Sequence, residues 1–218
     1  MLKKIQHRNL VPYFDIVRQR DSLAIMQEYM PQQTLSAWIK SNRASGGHVS
    51  EPLISKFAEN ILQGLEYLHH NKVVHGSIKS ANVFVTGNGL CKLADFGQIK
   101  QICSMGVSFK RQKFNDIYWT APELICKKEE PISNSRFSDI WSLGCIVYEL
   151  VTGHPPWFDE DQLTVIFKFA TIERGPKYPS KLSVEIRDFM DCCFQIETNK
   201  RANVYELIRH PFIQQMKL

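Results

Sequence analysis

No Gly-x-Gly-x-x-Gly string, no Val-Ala-x-Lys string, no Cys-x-x-Cys pair and no apolar run long enough to cross a bilayer occur in these 218 residues. Glycine is sparse, and the one adjacent pair, Gly46-Gly47, follows Ser45 in a polar stretch, so the chain holds no glycine-built phosphate cradle. The cysteines at 91, 103, 126, 145, 192 and 193 have neither zinc-ligand spacing nor the pattern of a disulfide framework, and small buried thiols in a reducing compartment are expected. The most apolar stretch, 140–151, is too short for a membrane span and carries Glu149. Polar residues follow Met1-Leu2-Lys3-Lys4, so no signal peptide is expected and the protein is assigned to the cytoplasm. The balance of 27 basic against 22 acidic residues is mild and lacks the aromatic-laced stripe that nucleic acid binding requires. What is present is an ordinary share of hydrophobic residues, 44%, enough to build the core of one domain or of one domain with a small appendage.

The patterning predicts an α+β protein that is mostly helical. Strands are expected over 9–14 and 22–27, joined by the charged turn 18–21. A short helix near 35–39 precedes a polar loop, 41–48, which is the candidate boundary. Ile54, Phe57, Ile61, Leu65 and Leu68 recur at steps of three and four, which places them on one face of a long helix opened by Ser50 and Pro52. Val83-Phe84-Val85 and 90–94 flank Gly87-Asn88-Gly89, a hairpin signal. An apolar helix over 140–151 is stopped by Gly153 and Pro155-Pro156, and amphipathic helices are expected near 161–172, 183–195 and 202–210. Trp141, Trp157 and Phe158 are expected in the core and Trp38 partly exposed.

Four short strings then follow in order: His75-Gly76-Ser77-Ile78-Lys79-Ser80-Ala81-Asn82, Asp95-Phe96-Gly97, Ala121-Pro122-Glu123 and Ser138-Asp139-Ile140-Trp141-Ser142-Leu143-Gly144. In this order they resemble the protein kinase family over essentially the whole chain. The strings Ile117-Tyr118-Trp119-Thr120 and His7-Arg8-Asn9-Leu10-Val11 are most similar to the MAP kinase kinase kinase (MEK kinase) group. The resemblance implies that residues 1–30 are the remnant of a kinase small lobe, comprising the end of helix C, the last two strands and the hinge. It implies a large lobe over 31–218, with an activation segment at 95–123. ATP and Mg²⁺ are the implied ligands, with Asn82 and Asp95 holding the metal and Lys79 contacting the transferred phosphate. Gln27 falls at the gatekeeper, Glu28 and Met30 at the hinge, and Phe84 under the adenine ring. His75, Phe96, Gly97, Asp139, Glu123 and Arg201 fall at structural positions: Asp139 would hold the backbone at His75, and Glu123 would form a buried ion pair with Arg201.

The departures are as specific as the matches. Ser77 stands at the proton-accepting Asp, and a hydroxyl is no carboxylate base at neutral pH. Gly76 replaces the Arg that would meet a phosphorylated activation loop. Asn115-Asp116 replaces Gly-Thr, whose Thr would bond the catalytic Asp and Lys, so Asp116 is expected to pair with Lys79 or else to lie solvated in a loop. The glycine loop and the ATP-clamping lysine are absent, so nucleotide binding is expected to be weak, whether the chain is a piece of a longer protein or has a shortened small lobe. The tandem His69-His70 is expected to end the long helix, where a cation complements the dipole. Lys100, Lys110, Arg111 and Lys113, with Ser104 and Ser108 as candidate phosphosites, make the activation segment basic. Three readings follow: a catalytically impaired scaffold or allosteric partner of other protein kinases in a MAP kinase type cascade; an active Ser/Thr kinase with a protein substrate; or a truncated non-functional product.

Overall fold

The computed structural model describes residues 4–18, 23–96, 114–126 and 135–215. Strands β1 (Tyr13–Arg18) and β2 (Leu23–Gln27) form an antiparallel pair whose register breaks between Tyr13 and Asp15. The first strand starts four residues later than the composition of 9–14 suggested, because Asn9, Leu10 and Val11 are engaged elsewhere. Leu93 donates its backbone N–H to Asn9 O at 2.8 Å, and Val11 donates to Leu93 O at 2.8 Å. The Asn9 side chain is fully buried, and its amide donates to Asn60 Oδ1 and Cys91 O, each at 2.9 Å.

Helix α1 (Leu35–Ala44) is capped by Thr34, whose Oγ1 accepts from Ala37 N at 3.3 Å. It runs through the first half of the stretch expected as a loop, because Ser41, Asn42 and Arg43 occupy its solvent side and no helix breaker intervenes before Gly46. Nor is this stretch a boundary, since Leu35 and Ile39 belong to the same continuous core as Ile54, Leu65 and Trp141. Helix α2 (Glu51–His70) buries Ile54, Phe57, Ile61, Leu65 and Leu68, as the spacing predicted. Its Gly64 permits close approach: a Cβ there would stand 3.0 Å from both Asn9 O and a Leu93 methyl. A 3₁₀ turn (Ser80–Asn82) leads into the predicted hairpin of β3 (Val83–Val85) and β4 (Cys91–Leu93).

A second 3₁₀ segment (Phe114–Trp119) and the short helix α3 (Glu123–Cys126) precede α4 (Ser135–Thr152), the central apolar helix. Helices α5 (Gln162–Ala170), α6 (Val184–Cys193), α7 (Val204–Ile208) and α8 (Pro211–Gln214) complete the helical body. Fully buried Trp141 anchors it, meeting Phe169 and Phe194 edge-on and Trp157 face-on. Phe158 departs from expectation: it is 50% exposed, stacked on His154 in the loop before α5 rather than inside the core. Trp38 is half-buried, as expected. Cys91, Cys145 and Cys193 are buried thiols, but Cys126 is exposed and Cys192 half-buried, because both sit on the outer faces of their helices. Cys103, Gly97, Lys100, Ser104, Ser108 and the basic residues 110–113 lie outside the described residues. Among the described residues, no helix is long and apolar enough to cross a membrane.

Candidate functional site

The loop from His75 to Asn82 is held from below by α4. Asp139, 1% exposed, accepts the backbone N–H of His75 at 3.0 Å and of Gly76 at 2.9 Å, and bonds His69 Nε2 at 2.8 Å. A carboxylate removed from water is stable only when its lone pairs are met in this way. His69 therefore works at the end of α2 as a buried partner, not as an exposed cation on the helix dipole. Its spacing of four from Leu65 already put it on the apolar face, which was the signal for this role. The His75 ring is buried too; desolvation holds its pKa down at about 4, so it is neutral, and its Nδ1 accepts from Ser77 N at 3.3 Å. Gly76 has φ of +75° with open space where a Cβ would stand, so glycine here relieves backbone strain rather than crowding.

Asn82 closes the loop on itself. Its Nδ2 donates to Ser77 O at 2.8 Å and to Ser77 Oγ at 3.0 Å, while its backbone N–H reaches Lys79 O at 2.9 Å. With Nδ2 so used, Oδ1 is the acceptor that Asn82 offers to a hard cation. Asp95 follows closely in space, because Ala94 N donates to Asn82 O at 2.9 Å across the hairpin end. Asp95 itself has φ of +63°, a left-handed conformation that Asp tolerates better than most residues. Next to it Phe96 is fully buried between Tyr13 and His75, with ring centroids 4.6 and 6.3 Å away, and Tyr13 Oη donates to Phe96 O at 3.2 Å. The backbone thus brings residues 82 and 95, expected to hold Mg²⁺, near one another, and both carry oxygen donors of the chemical type that such an ion takes.

On the other side of the loop, Lys79 Nζ donates to both carboxylate oxygens of Asp116, at 2.8 and 2.9 Å, with side chains 23% and 40% exposed. The same strands of chain meet again beneath, at Glu149 on α4. Ser80 Oγ donates to one of its oxygens at 2.8 Å and Trp119 Nε1 to the other at 3.1 Å. Burial pushes this carboxyl up to about 7, against the opposing pull of Ser80, Trp119 and Lys40. Glu149 was not foreseen as a site residue; a single acid inside an apolar helix was its only trace in the sequence. Behind it, Arg201 is sealed against Glu123 at 2.7 and 3.0 Å, and also donates to Phe137 O at 2.8 Å and Gln195 O at 2.9 Å.

The adenine-side positions are looser. Gln27 ends β2 with its Oε1 buried and without a hydrogen-bond partner. Glu28 is drawn to the hairpin: its carboxylate accepts from Lys92 Nζ at 2.7 Å, and its backbone N–H donates to Pro12 O at 3.0 Å. Met30 and Phe84 are half-buried, and Phe84 is tied through a backbone bridge to Thr34. Ser77, Lys79, Asn82 and Asp116 form one bonded group; Glu28 is tied instead to Lys92 on β4.

The protein kinase domain family matches residues 1–213 of this chain. The chain is 36% identical over 215 residues to mitogen-activated protein kinase kinase kinase 3 of Arabidopsis thaliana, covering 98% of this chain and 32% of that protein. It is 37% identical over 221 residues to mitogen-activated protein kinase kinase kinase 3 of Homo sapiens, covering 99% and 34%. It is 34% identical over 217 residues to mitogen-activated protein kinase kinase kinase A of Dictyostelium discoideum, covering 99% and 22%. The chain thus spans about a third or less of the length of these relatives. On the domain match, the loop geometry and these similarities together, the chain belongs to the protein kinase family and is serine/threonine, MAP kinase kinase kinase-like within it.

Proposed function

We propose that this domain serves a MAP kinase type cascade in the cytoplasm chiefly as a scaffold or allosteric partner of other protein kinases, with its own phosphoryl transfer impaired. One observation carries the reading: the loop from His75 to Asn82 contains no carboxylate, and the hydroxyl of Ser77, at the proton-accepting position, is occupied by the amide of Asn82. A positioned general base contributes about 10²- to 10⁴-fold to such a step, so its loss slows transfer without erasing the site. Asn82 Oδ1 and Asp95 are the oxygen donors for Mg²⁺, whose chemistry would be to neutralise charge on a transferring phosphoryl group. Gln27, Glu28, Met30 and Phe84 line the adenine side. Residues 1–30 then act as the small-lobe portion and 31–218 as the large lobe. With no glycine loop or Val-Ala-x-Lys lysine among its 218 residues, the chain binds ATP weakly.

The test is melting with and without Mg·ATP, run beside phosphate transfer to a generic Ser/Thr substrate, on the unmutated chain and on Ser77→Asp. Transfer at ordinary kinase rates by the unmutated chain sinks the reading. Transfer at least about 10²-fold below that of Ser77→Asp supports it.

A further inference from the structure

We infer that Asp116 supplies, from the activation segment, the carboxylate that the catalytic loop lacks, and that it accepts the substrate hydroxyl proton in whatever transfer the site retains. This rests on the reading above that Ser77 is not the base.

The described carboxylates around the loop leave few alternatives. Asp139 is 1% exposed and already bonds the N–H groups of His75 and Gly76 and the ring of His69. Glu149 is 5% exposed beneath Ser80 and Trp119, and Glu123 is sealed by Arg201. Asp95 stands at the hairpin end beside Asn82, in the place of a metal ligand. Among the described carboxylates, and with Asp95 set aside for the metal, Asp116 combines contact with the loop and access to solvent: its side chain is 40% exposed and touches Lys79, two residues after Ser77.

Its position is also firm. The backbone carbonyl of Asp116 accepts from Thr120 Oγ1 at 2.8 Å, Thr120 N donates to Ile117 O at 3.1 Å, and the neighbouring Trp119 is pinned to Glu149. A carboxylate offers about four lone-pair sites, of which the two bonds from Lys79 use two, leaving room for a hydroxyl donor.

In the step so defined, the O–H proton of a substrate Ser or Thr passes to an Asp116 carboxylate oxygen. The substrate oxygen's electron pair forms a bond to the terminal phosphorus of a nucleoside triphosphate. The bond from that phosphorus to its bridging oxygen breaks, and the nucleoside diphosphate leaves with the electron pair. Lys79, relieved of the carboxylate's charge as the proton arrives, faces the phosphoryl oxygens.

The experiment compares the full-length protein with its Asp116→Asn and Ser77→Asp/Asp116→Thr variants in single-turnover transfer from Mg·ATP to a Ser-containing peptide, with peptide binding measured separately without nucleotide. Beside it, the Asp116 carboxyl ¹³C resonance is followed in nucleotide-free protein as that peptide, or its Ser→Ala counterpart, is added. The expected result is a loss of about 10²-fold or more in transfer for Asp116→Asn at unchanged peptide affinity, and recovery in the double variant. The ¹³C resonance should move with the Ser peptide and not with the Ala peptide. Transfer by Asp116→Asn equal to or above the unmutated level overturns the inference, and so does undetectable transfer by the unmutated protein; both leave the proposed impairment standing. Ordinary rates that vanish in Asp116→Asn uphold the inference and overturn the impairment instead.

Discussion

Glu123–Arg201 and Lys79–Asp116 are both ion pairs that tie residues 116–123 to the rest of the domain, yet they live in opposite surroundings. The first has side chains 3% and 0% exposed, and every Arg201 nitrogen has a partner; the second has side chains 23% and 40% exposed. Where water is excluded, losing one partner strands a charge, so the pair is fixed by the requirement to fold. Where water reaches, a changed partner is rehydrated at little expense, and the chemistry at that place is free to drift. The contrast explains how one chain keeps Asp139, Glu123 and Arg201 in family positions while carrying Ser77, Gly76 and Asp116 on its open face.

Breaking the sealed pair should have the largest effect. Arg201→Leu leaves Glu123 charged and unpaired, and should lower unfolding free energy by about 3–5 kcal/mol, read from urea midpoints at constant m-value; a change under 1 kcal/mol would mean that Glu123 is not charged or not enclosed. Glu149 gives an effect of intermediate size whose sign can be worked out. Its folded pKa, about 7, is raised above its ordinary 4.5, so the folded state holds the proton more tightly. The stability it contributes is present below pH 4.5 and lost as pH rises through 7, a fall of up to about 3 kcal/mol. His75 acts the other way, since its folded pKa of about 4 adds stability as pH rises from 4 to 6.5. The total profile therefore mixes both, and the clean observable is the difference between the unmutated chain and Glu149→Gln, which should decline between pH 4.5 and 7; a flat difference removes burial as the cause. The smallest effect belongs to the open pair: a double-mutant cycle over Lys79→Met and Asp116→Asn should give a coupling of about 1 kcal/mol or less in stability. A coupling above about 2 kcal/mol would erase the contrast between the two pairs.

Much of this architecture was readable before any coordinates, for local reasons. The helices α2 and α4 announce themselves by period, and the β3–β4 hairpin by its Gly-Asn-Gly turn. The pairs His75–Asp139 and Glu123–Arg201 span 64 and 78 residues, and only the motif order brought them together. Lys79 and Asp116, 37 residues apart, were aligned by the same order and meet at 2.8 Å. What escaped was non-local and without a motif. His69 finds Asp139 70 residues on, and Glu149 finds Ser80 69 residues back, so neither partner lies within any window of helical or strand periodicity. The start of β1 escaped for a related reason: the β-forming run at 9–11 does bond as extended chain, but to Leu93, not to its neighbour in sequence.

That stitching of residues 9–11 onto β4 fixes how the strand pair can move. With Asn9 and Val11 bonded to Leu93, and the Asn9 amide locked to Asn60 and Cys91, the pivot lies beyond Val11 on one side and after β2 on the other. Glu28 N bonded to Pro12 O yokes the two exits, so β1 and β2 are coupled as one lever rather than as two flaps. The lever carries Tyr13, whose ring and hydroxyl bear on Phe96, and Phe96 bears on His75 at the head of the His75–Asn82 loop. Whatever displaces the lever from outside therefore bears on that loop through Tyr13 and Phe96.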